Sequence, residues 1–301
     1  MSFTIECPSG FTFQARPFET QDIARISRGN VETMITSLLQ ACHERTISPG
    51  ANAFIREGEC KPTWSKVLWA DLIYSVVELR RATFQLPRKD YGFVDKNNVD
   101  DKRPIGDILD FDFNCQMGGC RKQVEWTIDL QDFVERCTVR ITDDAAERLS
   151  RGESLVYTMG DGRVVHWRPS CPEIDANLRT LMKQKSIKEE DKAEFVAKHI
   201  VFVEGFVDSK GKEKRELRQL HQWVTSEIKD PLEFDKLLFT IQNMQPTFDN
   251  ELRVTCEHCG AEQTVLLPLQ HPAFTSPSQS TQAKRALRAK MLAPNKVNHD
   301  D

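Results

Sequence analysis

Two cysteine pairs constrain this chain more than any other feature. Cys115 and Cys120 lie at one strand–turn–strand tip, and Cys256 and Cys259 lie at another, about 140 residues later. Each hairpin follows one plan: a strand leads to a cysteine, a short glycine-containing or glycine-followed turn leads to a second, and the return strand ends in Asp129-Leu130 or Pro268-Leu269. A Cys-x2-Cys-Gly turn points both sulfurs to one side of a tight bend. Backbone N–H groups there stabilise thiolates, and glycine permits positive φ. Each turn supplies half of a tetrahedral site, so together Cys115, Cys120, Cys256 and Cys259 predict one structural Zn2+ with no coordination position left for substrate. The competing reading is two unrelated hairpins with buried thiols. The polar and glycine neighbours of each pair weigh against it, since a cysteine used as a small core residue usually sits among apolar side chains. His258, between two ligands, is expected to point outward. Cys7, Cys42, Cys60, Cys137 and Cys171 have no partner at ligand spacing and read as structural thiols.

The rest of the composition bounds what surrounds such a site. A chain of 301 residues allows about two domains and a sizeable core. Its 41 Lys+Arg against 45 Asp+Glu nearly balance at −4, and 17 Phe with 5 Trp supply apolar anchors despite a mean hydropathy of −0.49. No apolar run approaches the roughly 18–20 residues that cross a bilayer, and the first residues lack the pattern of a secretory signal. A soluble chain with reduced thiols is the expectation.

Periodicity predicts an α+β chain. A hairpin spans Phe3 to Arg16 around Pro8-Ser9-Gly10, and a helical stretch broken near Gly29 runs from Glu19 to about Glu44. An apolar stripe from Trp64 to Leu79 marks a core helix that closes on Arg80-Arg81. Residues 86–104 read as an exposed loop, and the first cysteine hairpin occupies Ile105 to Leu130. Next come a short strand at Thr138–Ile141, a helical turn or two at Asp143–Leu149, and a hairpin turning at Gly160-Asp161-Gly162. A charged helix over Glu173–Lys198, a strand over His199–Val207, and helices Glu216–Glu227 and Leu232–Asn243 lead to the second cysteine hairpin. The implied divisions are an N-terminal hairpin with helices (1–60), the core helix and first cysteine hairpin (61–131), an inserted mixed α/β region (132–248), the second cysteine hairpin (249–277) and an extended basic tail (278–301). The zinc ribbon would thus be discontinuous, built from two hairpins around the insertion.

Catalytic patterns do not emerge. Phosphate-loop, dinucleotide, nucleophile-elbow and His-Glu-x-x-His motifs are missing, and the seven histidines are scattered. His166 and His221 read as surface or satisfied histidines, and Asp107, Asp110 and Asp112 as a solvated strand face. The expectation is a protein that is not an enzyme. A zinc-ribbon nucleic-acid-binding or transcription-associated protein is the alternative. Its support is local, at Arg80-Arg81, Lys210–Arg218 and Lys284–Lys290, in a chain with pI near 6.0. The basic tail alternates with Ala and Leu, as an amphipathic helix docking on a protein does.

Several stretches together resemble a known family. They are the Ser-Gly hairpin with Arg16-Pro17-Phe18, the helix Trp64-Ser-Lys-Val-Leu-Trp-Ala-Asp71 running into Leu79-Arg80-Arg81-Ala-Thr83, the Cys-x4-Cys hairpin ending Val124-Glu-Trp-Thr-Ile-Asp-Leu130, and the late Cys256-Glu-His-Cys-Gly260 hairpin ending Leu267-Pro-Leu269 before Phe274 and Pro277. This arrangement is similar to the hub and hub-assembly proteins of the T-even baseplate family of tailed bacteriophages, over about residues 3–277. The wide Cys115–Cys120 spacing and the charged 86–104 loop depart from the pattern. The resemblance implies a non-enzymatic role in a contractile phage tail, as a baseplate hub component or hub-assembly chaperone. It also implies partners among other tail or baseplate proteins or a second copy of the chain, rather than membrane or nucleic acid, and a location in the virion baseplate or in the host cytoplasm during assembly. Interfaces favour aromatic and arginine anchors, which nominates Trp126, Trp167, Arg168, Trp223 and, in the tail, Arg285, Leu287 and Arg288.

Overall fold

A computed structural model of the chain describes residues 2–26, 30–52, 55–58, 60–86, 103–176, 192–270 and 272–275. The 86–104 loop from residue 87 to 102, the middle of the expected 173–198 helix and the basic tail with Arg285, Leu287 and Arg288 lie outside the described residues. The chain forms two compact units. One comprises Met1–Arg16, Ile35–Ser75 and Thr138–Phe248, and the other Pro17–Met34, Val76–Cys137 and Asp249–Asp301. Among the described residues every strand pairing is antiparallel, and no helix is long and apolar enough to cross a membrane.

The first unit contains two three-stranded sheets. Strands Phe3–Glu6 and Thr12–Ala15 form the N-terminal hairpin, and His43–Ser48 pairs with the second of them. Residues 43 and 44, read from sequence as the end of a helix, begin this third strand, and the helix itself is Val31–Cys42. The hairpin turn needs its glycines. Gly10 sits at φ +81, and at Gly50 a Cβ would lie 2.2 Å from the Phe11 amide nitrogen, so a side chain there would push the two turns apart. Behind the sheet, Phe11, Phe13, His43 and Trp64 pack ring on ring at centroid separations of 5.0–6.3 Å. Trp64 lies in a short 3-10 turn, Trp64–Lys66, and the α-helix begins only at Trp69 and runs to Thr83.

The second sheet joins Leu155–Thr158, Val164–Trp167 and Ile200–Val203. The last of these is shorter than the expected 199–207 strand at both ends, because His199 closes the preceding helix Lys192–His199 and a turn with Gly205 at φ +76 follows Val203. Helices Leu217–Glu227 and Pro231–Met244 add Leu220, Trp223, Val224, Leu237 and Ile241 to the core that holds Trp167. Asp230 caps the second of them by accepting from the Leu232 amide, with Pro231 at the first helical position.

One buried polar knot ties this unit together. Asp71 is 0 % exposed and accepts the Ser9 amide at 3.1 Å, the Ser9 hydroxyl at 2.5 Å and the Asn52 side-chain amide at 3.0 Å, while Asn52 Oδ1 accepts from the Leu68 amide. Burial lifts its carboxyl from 3.8 to about 6 against those donors, which pull it down. His199 and His43 are buried as well, and burial lowers each imidazole from 6.5 to about 4. The signs oppose one another. Ionised Asp71 carries its burial penalty above about pH 6 and sheds it as pH falls toward 4, a gain of about 3 kcal/mol. The neutral histidines stabilise fully above pH 6.5, and that contribution is lost as pH falls toward 4, about 3 kcal/mol for His199. Asp71→Asn is therefore expected to lose stability between pH 6.5 and 4 more steeply than wild type, by about 3 kcal/mol over the window. Urea unfolding at half-unit pH steps measures the difference, and parallel curves would refute the assignment.

The second unit carries both cysteine hairpins. Strands Ile108–Asn114 and Gln123–Asp129 pair in full register, from Ile108 opposite Asp129 to Asn114 opposite Gln123. Glu251–Thr255 and Glu262–Leu266 pair likewise. The closing residues Leu130 and Leu269, which recur at the ends of both hairpins, are 0 % and 3 % exposed. Arg80, read from sequence as part of a basic surface pair, is instead 1 % exposed. Its guanidinium donates to the carbonyls of Ile105, Ile108, Ala273 and Phe274, between the rings of Phe84 and Phe274. Arg81 is taken by Asp107 at 2.7 Å and Glu78 at 2.6 Å. The Asp107–Asp112 run is only half solvated, because Asp107 holds Arg81, Asp110 accepts from Thr127 and Asp112 accepts from Gln123.

Candidate metal centre

The two cysteine hairpins meet at their tips. Cys115, Cys120, Cys256 and Cys259 bring their sulfurs within 4.8 Å of one another. The close approaches run between the hairpins: Cys115 Sγ to Cys259 Sγ is 3.8 Å, and Cys120 Sγ to Cys256 Sγ is 3.8 Å. A tetrahedron with metal–sulfur bonds of about 2.3 Å has edges of about 3.8 Å, whereas a disulfide needs about 2.05 Å. The four thiols form one cluster able to hold one metal ion.

Each tip is built for this by its backbone. In the second, the Cys256 amide donates to the Ala261 carbonyl at 2.9 Å and the Gly260 amide to the Cys256 carbonyl at 2.8 Å. In the first, the Cys115 amide donates to the Lys122 carbonyl at 2.9 Å and the Cys120 amide to the Met117 carbonyl at 2.9 Å. The wider spacing enlarges the loop without changing how it closes. The left-handed residue falls just after the second cysteine in both: Gly260 at φ +69 and Arg121 at φ +48. The sequence placed positive φ on the glycines of the first turn, yet neither Gly118 nor Gly119 adopts it, and Arg121 bears the conformation at some cost. The two hairpins remain separate two-stranded sheets, joined at the tips and not by a ladder among the described residues.

Surroundings differ between the four ligands. Cys115 and Cys256 are 2 % and 0 % exposed and pack on Val124 and Phe113, while Cys120 is half-buried and Cys259 is exposed. Cys256 Sγ receives the His258 and Cys259 amides, and its thiol is lowered to about 7; Cys259, among the other three sulfurs, is raised to about 11. Opposite directions on adjacent thiols follow from charge sharing, since the first thiolate formed suppresses the next until a cation balances them. Two side chains outside the ligand set bridge the tips. His258 Nε2 donates to the Gln123 carbonyl at 3.2 Å, and Gln263 reaches from the second hairpin to the first. His258 is exposed, as its position between two ligands implies, but it is also a tether.

The remaining cysteines do not join the cluster. Cys7, Cys42 and Cys171 are buried, Cys137 is half-buried and Cys60 is exposed. Of the interface residues proposed from sequence, Trp126 and Arg168 are partly exposed. Trp167 and Trp223 are 0 % and 3 % exposed and belong to the first unit's core, so neither is a surface anchor. His166 is satisfied by Ser154 and Glu204. Comparison with known proteins finds no family model, no curated protein and no solved structure that matches this chain.

Proposed function

We propose that the four cysteines hold one structural zinc ion, and that the protein is a non-enzymatic scaffold acting through protein–protein contacts in a contractile phage tail, as a baseplate hub component or hub-assembly chaperone. The observation that carries the first part is the convergence of four sulfurs from two distant hairpins with 3.8 Å spacing across the tips. Four thiolates saturate zinc, so the metal would serve the fold: it ties together two hairpins that share no ladder. The phage reading rests on the resemblance of residues 3–277 to the T-even baseplate family. A near-neutral chain with Arg80 buried and Arg81 ion-paired weakens the basic-surface alternative.

The test is purification of tagged full-length chain from infected cells. Tail or hub proteins identified by mass are expected in the complex, and a chain ending at Pro277 is expected to lose them at least tenfold while keeping its metal. A complex without tail proteins would overturn the assembly reading. So would a salt-dependent shift of duplex DNA that disappears on neutralising Lys284, Arg285, Arg288 and Lys290, which is the signature of the nucleic-acid alternative.

A further inference from the structure

The two halves of the metal centre are not held in the same way. The tight Cys-x2-Cys turn closes on its own backbone, with the Gly260 amide on the Cys256 carbonyl and the Cys256 amide on the Ala261 carbonyl. The wide Cys-x4-Cys turn receives a donor from outside, the side chain of Gln263 on the Glu262–Leu266 strand, whose Nε2 lies 3.4 Å from Cys115 Sγ. The orientation of that amide is not free. Its Oε1 accepts the Gln116 backbone N–H at 3.0 Å, and an N–H can meet only the oxygen end, so the NH2 end must face the sulfur. Sulfur is a weak acceptor as a thiol and a much better one as a thiolate, so the fixed NH2 group matches Cys115 in the metal-bound state.

From this geometry we infer that Gln263 is a positioning residue of the metal centre: it holds Cys115 and Gln116 of the first turn from the second hairpin, and sets how tightly the metal is retained. The inference rests on the zinc reading above. Gln263 does not touch the metal. It acts through Cys115, fixing the sulfur's direction and drawing off part of its negative charge. It makes two bonds across the junction, where His258 makes one. Partners of this kind around metal ligands typically change affinity by about 10–100-fold when removed.

The experiment compares wild type, Gln263→Leu and Gln263→Glu after loading with cobalt(II), which reports thiolate ligation through its sulfur-to-metal charge-transfer band. Gln263→Leu keeps the side-chain bulk and removes both hydrogen bonds; Gln263→Glu keeps the acceptor for the Gln116 amide and removes the donor to sulfur. Both variants are expected to release metal to a chelator about 10–100-fold faster than wild type. Both are also expected to move the charge-transfer band to lower energy, because a thiolate without its hydrogen bond gives up an electron more easily. A role confined to packing would leave the Gln263→Glu band and release rate at wild-type values, and that result would overturn the inference. If wild type itself shows no four-thiolate cobalt spectrum, the zinc reading fails as well. A normal wild-type spectrum with unchanged variants removes only the role of Gln263.

Discussion

Cys256→Ser is expected to reduce bound zinc from one per chain to well below one, and to lower the stability of the second unit by several kcal/mol. Cys256 is 0 % exposed, packs on Val124 and faces Cys120 at 3.8 Å. Serine would leave a hydroxyl where a thiolate closes the coordination sphere. Structural zinc contributes about 10–16 kcal/mol of apparent binding free energy in small finger peptides, and it does so as folding energy because the unfolded chain has no preformed site. Here the second unit also buries Leu109, Ile128, Leu130 and Phe133, so only part of that would be lost. Cys60→Ser is the control: the residue is exposed and outside the cluster, and its substitution is expected to leave both metal content and melting temperature unchanged. Metal analysis by mass spectrometry and thermal unfolding with and without chelator decide the matter. A wild type with far less than one zinc per chain, or a Cys256→Ser variant as stable as wild type, would refute the site.

The second large effect is expected at Arg80, where replacement by alanine should cost about 3–5 kcal/mol. Burial lowers its pKa to about 9, helped back up by Asp110 and Asp107, so it stays charged at neutral pH. That charge is offset by carbonyls from two segments, Ile105 and Ile108 on one side and Ala273 and Phe274 on the other. Alanine would strand those carbonyls and open a gap between Phe84 and Phe274. Lysine keeps the charge but not the planar fork, so Arg80→Lys is expected to recover little. Arg81→Ala, which removes partly buried ion pairs with Asp107 and Glu78, is expected to cost less than Arg80→Ala, about 1–2 kcal/mol. Urea unfolding distinguishes these outcomes, and an Arg80→Ala loss below about 1 kcal/mol would show that the buried charge contributes little.

The contrast between these neighbours marks where sequence reading stops. Arg80 and Arg81 look like one basic patch in a linear chain, but successive helical residues point about 100° apart. One turns into the core and the other toward Asp107. The cysteine hairpins were legible because their signals are local: alternating strands, turn formers and thiols at ligand spacing. Which sulfur approaches which was not, since it depends on a tertiary docking with no local sequence mark, and neither Gln263 nor the tether from His258 has a motif. Trp167 and Trp223 were misread for the complementary reason. Size and aromaticity suit a residue equally to an interface and to a core, and strand alternation at Val165 and Trp167 turned the latter inward. The His43–Ser48 strand escaped because helix periodicity carried into it, while the pairing that makes it a strand reaches back to Thr12–Ala15.

Cys120 and Cys256 are separated by 136 positions, and residues 138–248 between them belong to the other compact unit. A ribosome adding roughly 5–20 residues per second would finish the second cysteine pair about 7–28 s after the first. During that interval the nascent chain carries two thiols with no partners from the second hairpin, and a chain aborted anywhere within the intervening segment never acquires them. Metal capture would therefore report that translation has passed residue 259, and a zinc-loaded molecule is one whose two halves were both synthesised.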